Sequence, residues 1–163
     1  MEKLKKNRKT RYIFLALLII WMISVFCFSH QTSDISSGTS GNTIRVIINI
    51  IPGVKDLQET EKQELVEILQ PIARKLAHFT IYTIGGILSI LFVNTFNNTD
   101  KFKILYASLI CIIYSISDEI HQYFVPGRSG ELRDIMIDSL GVILGVLIGL
   151  LFIKIIERRK ING

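Results

Sequence analysis

Four long apolar runs constrain this chain more than any other feature. Residues 12–29, 76–93, 102–120 and 135–156 are each long and apolar enough to cross a bilayer, which takes roughly 17–25 residues as a helix. In hydrocarbon a helix satisfies every backbone N–H and C=O within its own segment, so runs of this kind predict helices. Little of the 163 residues remains for a soluble core. The expectation is an all-α integral membrane domain over residues 12–156, a bundle of four transmembrane helices. A basic cytoplasmic segment at 1–11 precedes it and a cytoplasmic tail at 157–163 follows. Cys27 and Cys111 both lie in apolar runs, so no structural disulfide is expected.

Charge sets the predicted orientation. Lys3, Lys5, Lys6, Arg8, Lys9 and Arg11 precede the first run. A signal peptide starts similarly, but no small-x-small cleavage pattern follows; the run ends Phe26-Cys27-Phe28-Ser29-His30. Bulky Phe26 also makes Cys27 a poor lipoprotein acceptor, so the run reads as an uncleaved anchor. With both termini in the cytoplasm, 12 of the 19 basic residues fall in short inside segments and 7 are spread over longer outside ones. The positive-inside rule favours that arrangement in the bacterial cytoplasmic membrane. The net charge of +5 then reflects orientation and attraction to anionic lipid. No nucleic-acid partner is needed to explain it; the partner that composition implies is the lipid bilayer.

The long outside segment, residues 30–73, stays small and polar as far as Asn42. An apolar run at 44–51, interrupted by Arg45 and Asn49, is too short to span and predicts a membrane-surface helix ending at Pro52-Gly53. Residues 56–70 read as an amphipathic helix with Leu57, Leu65, Ile68 and Leu69 on one face. The fold is thus expected to carry an amphipathic extracytoplasmic segment between its first two spans. Pro71 is expected to break or kink the chain before the second span. A polar turn at 94–101 joins the second and third spans, and Pro126-Gly127 marks a turn before the fourth.

Three polar stripes stand at the ends of these spans. Positions three and four apart share a helix face. One face reads Arg74, His78, Tyr82 and Gly85/Gly86. A second reads Tyr114, Asp118 and His121/Gln122, and a third Asp134, Asp138, Gly141, Gly145 and Gly149. The predicted topology puts all three polar ends on one side. An Asp, Lys or Arg at the centre of a membrane helix costs about 2.5–3.5 kcal/mol on insertion scales, so such a gathering marks a candidate site. Gly141, Gly145 and Gly149 form a small-residue ladder suited to helix packing, and its face continues into Asp138 and Asp134.

Asp118, Glu119, Asp134 and Asp138 cannot all be ionised and unpaired in a low-dielectric site. The available counter-charges are Arg74, Lys75, Arg128 and Arg133, with His78 and His121. One reading is an ion-pair network that locks helix ends. Another is a pocket in which Arg128 or Lys75 meets an anionic headgroup. A third is catalysis, with His121 or Glu119 as general base. A metal shell of His78, His121, Asp118 and Asp138 has no supporting His-x3-His or Cys-rich spacing, so no metal is expected. No nucleophile elbow, Walker loop or dinucleotide fingerprint is present, and no cofactor is expected. His30 reads as an interfacial polar residue.

The chain resembles the VanZ-like family of small bacterial membrane proteins. The resemblance rests on Lys75-x2-His78-Phe79-x2-Tyr82, on Ser117-Asp118-Glu119-x2-Gln122-Tyr123-Phe124-x-Pro126-Gly127-Arg128, and on Asp134-x3-Asp138-x2-Gly141-x3-Gly145. Phe28-Ser29-His30-Gln31 is also similar to a family feature. The resemblance implies that Lys75, His78, Tyr82, Asp118, Glu119, Gln122, Arg128 and Asp134 are the candidate site positions. Asp138 departs from the pattern, standing where members commonly show Asn, and adds a titratable carboxylate. The family takes its name from a protein implicated in resistance to teicoplanin, a lipid-bearing glycopeptide. The resemblance therefore implies a cell-envelope role and leaves the reaction open. The expected ligand is an amphiphile: a lipid headgroup, a cell-wall precursor or a lipoglycopeptide. The rivals are an enzyme acting on a lipid-linked envelope substrate and a transporter subunit. Against the transporter, the ionisable groups gather at one end rather than near the midplane.

Overall fold

A computed structural model describes residues 8–96 and 99–162. The predicted basic segment is therefore seen only from Arg8 onward; Lys3, Lys5 and Lys6 lie outside the described residues. Among those residues the chain is all-helical, with α1 (Arg8–Ser29), α2 (Ser33–Ile50), α3 (Glu59–Val93), α4 (Asp100–Tyr123) and α5 (Leu132–Asn162). Helices α1, α3, α4 and α5 are long and apolar enough to cross a membrane, and the protein is a multi-pass membrane protein. Their outward faces carry exposed large apolar side chains such as Ile20, Ile113, Leu147 and Leu151, as lipid contact requires.

The spans alternate in direction. Arg11 Nη2 donates to the Thr95 carbonyl at 3.3 Å, and its guanidinium sits 4.2 Å over the Phe96 ring. Lys154 Nζ lies 3.5 Å from Asp100 Oδ2. These contacts gather the start of α1, the turn after α3, the start of α4 and the last part of α5 at one end. The polar stripes lie at the other.

Pro71 does not break the chain. Helix α3 runs through it for 35 residues. Proline removes one backbone donor, a loss of about 3 kcal/mol in a helix interior. Pro71 is exposed, so the carbonyl that loses its partner can meet solvent. Its neighbour Gln70 is tied to α2, donating to the Ser37 carbonyl at 2.8 Å and to Ser40 Oγ at 3.1 Å. Val66, one turn earlier, is buried against Ile44 and Ile48. Packing on both sides of Pro71 holds the helix together.

Helix α2 also differs from expectation. It takes in the small polar stretch that reads as a loop, beginning at Ser33. Ser40 and Thr43 turn their hydroxyls back onto carbonyls one turn earlier, at 3.0 and 2.9 Å, which lets polar residues sit inside a helix. Ile44 and Ile48 pack on α3, while Val46, Ile47 and Ile50 remain exposed.

Glycines set the closest approach in the bundle. A Cβ at Gly145 would overlap the Thr83 carbonyl oxygen, one at Gly141 would lie 2.5 Å from the Phe79 carbonyl oxygen, and one at Gly86 would overlap the Val142 carbonyl oxygen. Helices α3 and α5 therefore meet backbone to backbone, the geometry that small residues permit in membranes. Gly85, next to Gly86, serves a different neighbour: a Cβ there would enter the Trp21 indole of α1. Trp21 is buried, donates Nε1–H to the Ile81 carbonyl at 2.8 Å, and packs edge-on to Tyr82 at 5.6 Å between ring centres.

Candidate functional site

The α3 stripe Arg74, His78 and Tyr82 repeats every four residues, so one face of the helix carries all three. Burial deepens along it: Arg74 and His78 are partly exposed, and Tyr82 is fully buried. From α4 come Asp118, Glu119 and Gln122, and from α5 Asp138, all buried. Asp134 enters one turn before Asp138, and Arg128 from the turn that follows Pro126-Gly127. Gly127 adopts φ 75°, a conformation glycine reaches without strain.

Two hydrogen-bonded groups run through these residues. In the first, Arg128 Nη2 donates to Ser36 Oγ at 2.9 Å and Nη1 to Gln122 Oε1 at 3.0 Å. Gln122 Nε2 then donates to Asp118 Oδ2 at 3.0 Å. Helix α2, the turn and α4 are thereby linked. In the second, Ser115 Oγ donates to Asp138 Oδ2 at 2.8 Å. The other carboxylate oxygen, Oδ1, faces His78 Nδ1 at 3.4 Å, an ion-pair distance without hydrogen-bond alignment. Glu119 stands beside these groups; its Oε2 accepts the Glu131 backbone N–H at 2.9 Å.

The cations are not locked to the carboxylates. Among the described residues, neither Arg74 nor Arg128 forms an ion pair with Asp or Glu. Burial, with the Arg74 guanidinium nearby, pulls the Arg128 guanidinium below its ordinary pKa. Arg74 Nε and Arg128 Nε are buried without hydrogen-bond partners, as are Tyr82 Oη, Asp118 Oδ1, Glu119 Oε1 and Asp134 Oδ1. Buried polar atoms of this kind are rare in proteins and cost about 1–3 kcal/mol each.

Two cavities adjoin here. The first, about 380 Å³, lies between α1, α2 and α3 and has largely apolar walls that include Val25, Phe28, Ile44, Ile47 and Ile81; Tyr82, Asp118 and Gln122 also line it. The second, about 360 Å³, is lined by polar groups that include Gln70, Lys75, Glu131 and Asp134. Ser36, Ser40, Arg74, His78 and Arg128 line both.

The residues expected from the sequence thus fall in distinct places. Lys75 and Asp134 line the polar cavity, and Tyr82, Asp118 and Gln122 the apolar one. Glu119 and Asp138 stand behind the walls. His121 leaves the group: its Nε2 lies 3.3 Å from His30 Nδ1, with Phe26 packed 4.7 Å from its ring. It therefore does not share the Asp118 face, because at three residues' spacing the helix turns it toward α1 while Gln122 stays in line. Ser36, Ser115 and Trp21 belong to the site or its support and are absent from the sequence reading. Among the described residues, no three His, Cys, Asp or Glu side chains are grouped to hold a metal ion.

The model of the VanZ/LLP1 family matches residues 14–153. The chain belongs to the VanZ/LLP1 family. No curated protein and no solved structure matches it. In this VanZ/LLP1 chain the matched region takes in the whole of the candidate site, from Ser36 to Asp138.

Proposed function

We propose that this VanZ/LLP1 protein acts in the cell envelope by binding an amphiphilic, anion-bearing ligand at an outward-facing site. Glycopeptide resistance of the teicoplanin type is the phenotype to which such binding contributes. In this reading the protein sits in the cytoplasmic membrane with both termini inside. The ligand's apolar part occupies the cavity between α1, α2 and α3, and its anionic part meets Arg74 and Arg128. The observation that carries the reading is the pair of adjoining cavities, one apolar and one polar, with two guanidiniums in their common wall and neither paired to a carboxylate. An ion-pair lock would have consumed those charges. Arginine suits the task because its planar fork grips a phosphate or carboxylate at two points.

The test is complementation of a deletion strain with wild type, Arg128→Lys and Asp134→Asn, reading susceptibility to lipoglycopeptides, membrane abundance and melting together. The proposal expects Arg128→Lys to lose most of the phenotype while abundance holds. Full phenotype in both variants, in a strain where deletion has a clear effect, would sink it.

One observation favours a second reading, an enzyme acting on a lipid-linked envelope substrate. His78 turns Nδ1 toward Asp138, whose other oxygen is held by Ser115, and this leaves Nε2 for the cavities that the ring lines. A carboxylate-backed imidazole is a general base. Under this reading His78→Gln abolishes the phenotype yet leaves ligand binding intact; loss of both together returns the residue to the binding site.

A further inference from the structure

The polar cavity is not simply cationic. Beyond the shared wall it is lined by Lys75 but also by Glu131 and Asp134. Asp134 keeps a buried oxygen, Oδ1, with no partner. Glu131 is exposed, and its Oε1 accepts a hydrogen bond from Ser129 Oγ at 3.4 Å. A ligand that offered nothing but negative charge would be repelled by this far wall. A ligand with N–H donors on its outer end would fill it.

The three kinds of surface come in a fixed order. The apolar cavity comes first, with Val25, Phe28, Ile44 and Ile47. The wall common to both cavities comes next, carrying Arg74 and Arg128, each with a buried Nε lacking a partner. Beyond that wall, in the polar cavity, come the carboxylates Glu131 and Asp134, together with Lys75. Apolar chain, anion, ammonium is the order of groups along a lipid whose phosphate bears an amine. We infer that the occupant is such a lipid: an apolar chain, a phosphate held by Arg74 and Arg128, and a primary ammonium that donates to Asp134.

The inference rests on the amphiphile reading above and narrows its headgroup to a phosphate–ammonium zwitterion. Phosphate between two arginines exchanges unsatisfied N–H donors for charge-assisted hydrogen bonds, the stronger class. The ammonium does the same for the orphaned carboxylate oxygen. A quaternary amine has no N–H to give, so it meets the carboxylate by charge alone. Two lipid chemistries share the required order, a phosphoethanolamine lipid and an aminoacylated phosphatidylglycerol, and they differ in the reach from phosphate to nitrogen.

The experiment uses the full chain in detergent and measures equilibrium binding of the dioctanoyl forms of phosphatidylethanolamine, alanyl-phosphatidylglycerol, phosphatidylcholine and phosphatidylglycerol. At least one of the two primary amines should bind about tenfold tighter than phosphatidylglycerol, since one charge-assisted hydrogen bond is worth that much. Whichever binds tighter identifies the source. Phosphatidylcholine should fall near phosphatidylglycerol. Asp134→Asn should remove the preference for primary amines, and Arg128→Ala should weaken all four lipids. Should phosphatidylglycerol bind as well as both primary amines to wild type, the zwitterion is wrong while the anionic amphiphile stands. Should none of the four bind, both fall. A melting curve for each variant distinguishes lost binding from lost fold, and Asp134→Glu, which keeps the carboxylate, should retain the preference.

Discussion

Gln122 and Asp118 stand one turn apart on α4 and are joined side chain to side chain, the amide Nε2 donating to carboxylate Oδ2 at 3.0 Å. Since Gln122 also accepts from Arg128, it spends both ends of its amide inside the protein. Gln122 is nearly fully buried, so the loss of either partner is costly.

Gln122→Glu replaces that donor by a second carboxylate facing Asp118. It should destabilise the protein by about 1–3 kcal/mol, the penalty of an unmet buried polar group. Asp118→Asn in the same chain restores a donor–acceptor pair and should recover part of the loss. Thermal melts of both single variants and the double variant measure the coupling. Strict additivity would mean that the two side chains do not interact.

At Gly145 the neighbour is backbone, the Thr83 carbonyl; at Gly149 it is the Ile90 side chain. Gly145→Leu should therefore push α5 off α3 and cost at least the roughly 1–3 kcal/mol of an overpacked core. Gly149→Leu should cost less, because a side chain can turn away. Ile143→Leu, at an exposed position, should be near neutral. Melting in detergent ranks the three, and equal values would contradict a tight α3–α5 seam.

Trp21 is the chain's single tryptophan, so fluorescence reports its position without labelling. Gly85→Ala puts a methyl group where the indole lies. The indole should leave its slot and lose its bond to Ile81, and quenching by brominated lipid should rise above wild type. Unchanged quenching would mean that the ring accommodates the methyl group in place.

Orientation rests on the asymmetry of basic residues. Reporters after Gly163 should read as cytoplasmic, and reporters within 36–42 or at Ser129-Gly130 as external. A cytoplasmic signal from the 129–130 region would turn the site inward and remove its access to envelope ligands from outside.

The long apolar spans were legible because lipid demands helices of fixed length. The convergence of Arg74, His78, Tyr82, Asp118 and Asp138 was legible because three helices carry polar residues at the same end. What failed is instructive. On α4 the inner face reads Ala107, Cys111, Ser115, Asp118 and Gln122, all buried; the run of small residues was the available signal, and choosing Tyr114 and His121 rotated the face slightly toward α1. Tyr114 does turn that way, donating its hydroxyl to the Met22 carbonyl at 2.5 Å. Helix α2 hid because nine of its first ten residues, all but Ile35, are serine, threonine, glycine, aspartate or asparagine, types that favour loops in isolation. Tertiary contact with α3 and the polar wall of the site overrides that preference. Ser36 had no local signal at all, since its role depends on an arginine 92 residues away.

Helix α3 has 35 residues, about 50 Å of continuous rod against a hydrocarbon core about 30 Å thick. It overhangs the bilayer by several turns, and α2 grips the overhang. Because the helix is continuous through Pro71, the α2-bound overhang, Arg74, His78, Tyr82 and Gly86 of the seam all belong to one element. The rim of the site, where α2 packs, and its bottom at Tyr82 are therefore carried by the same helix.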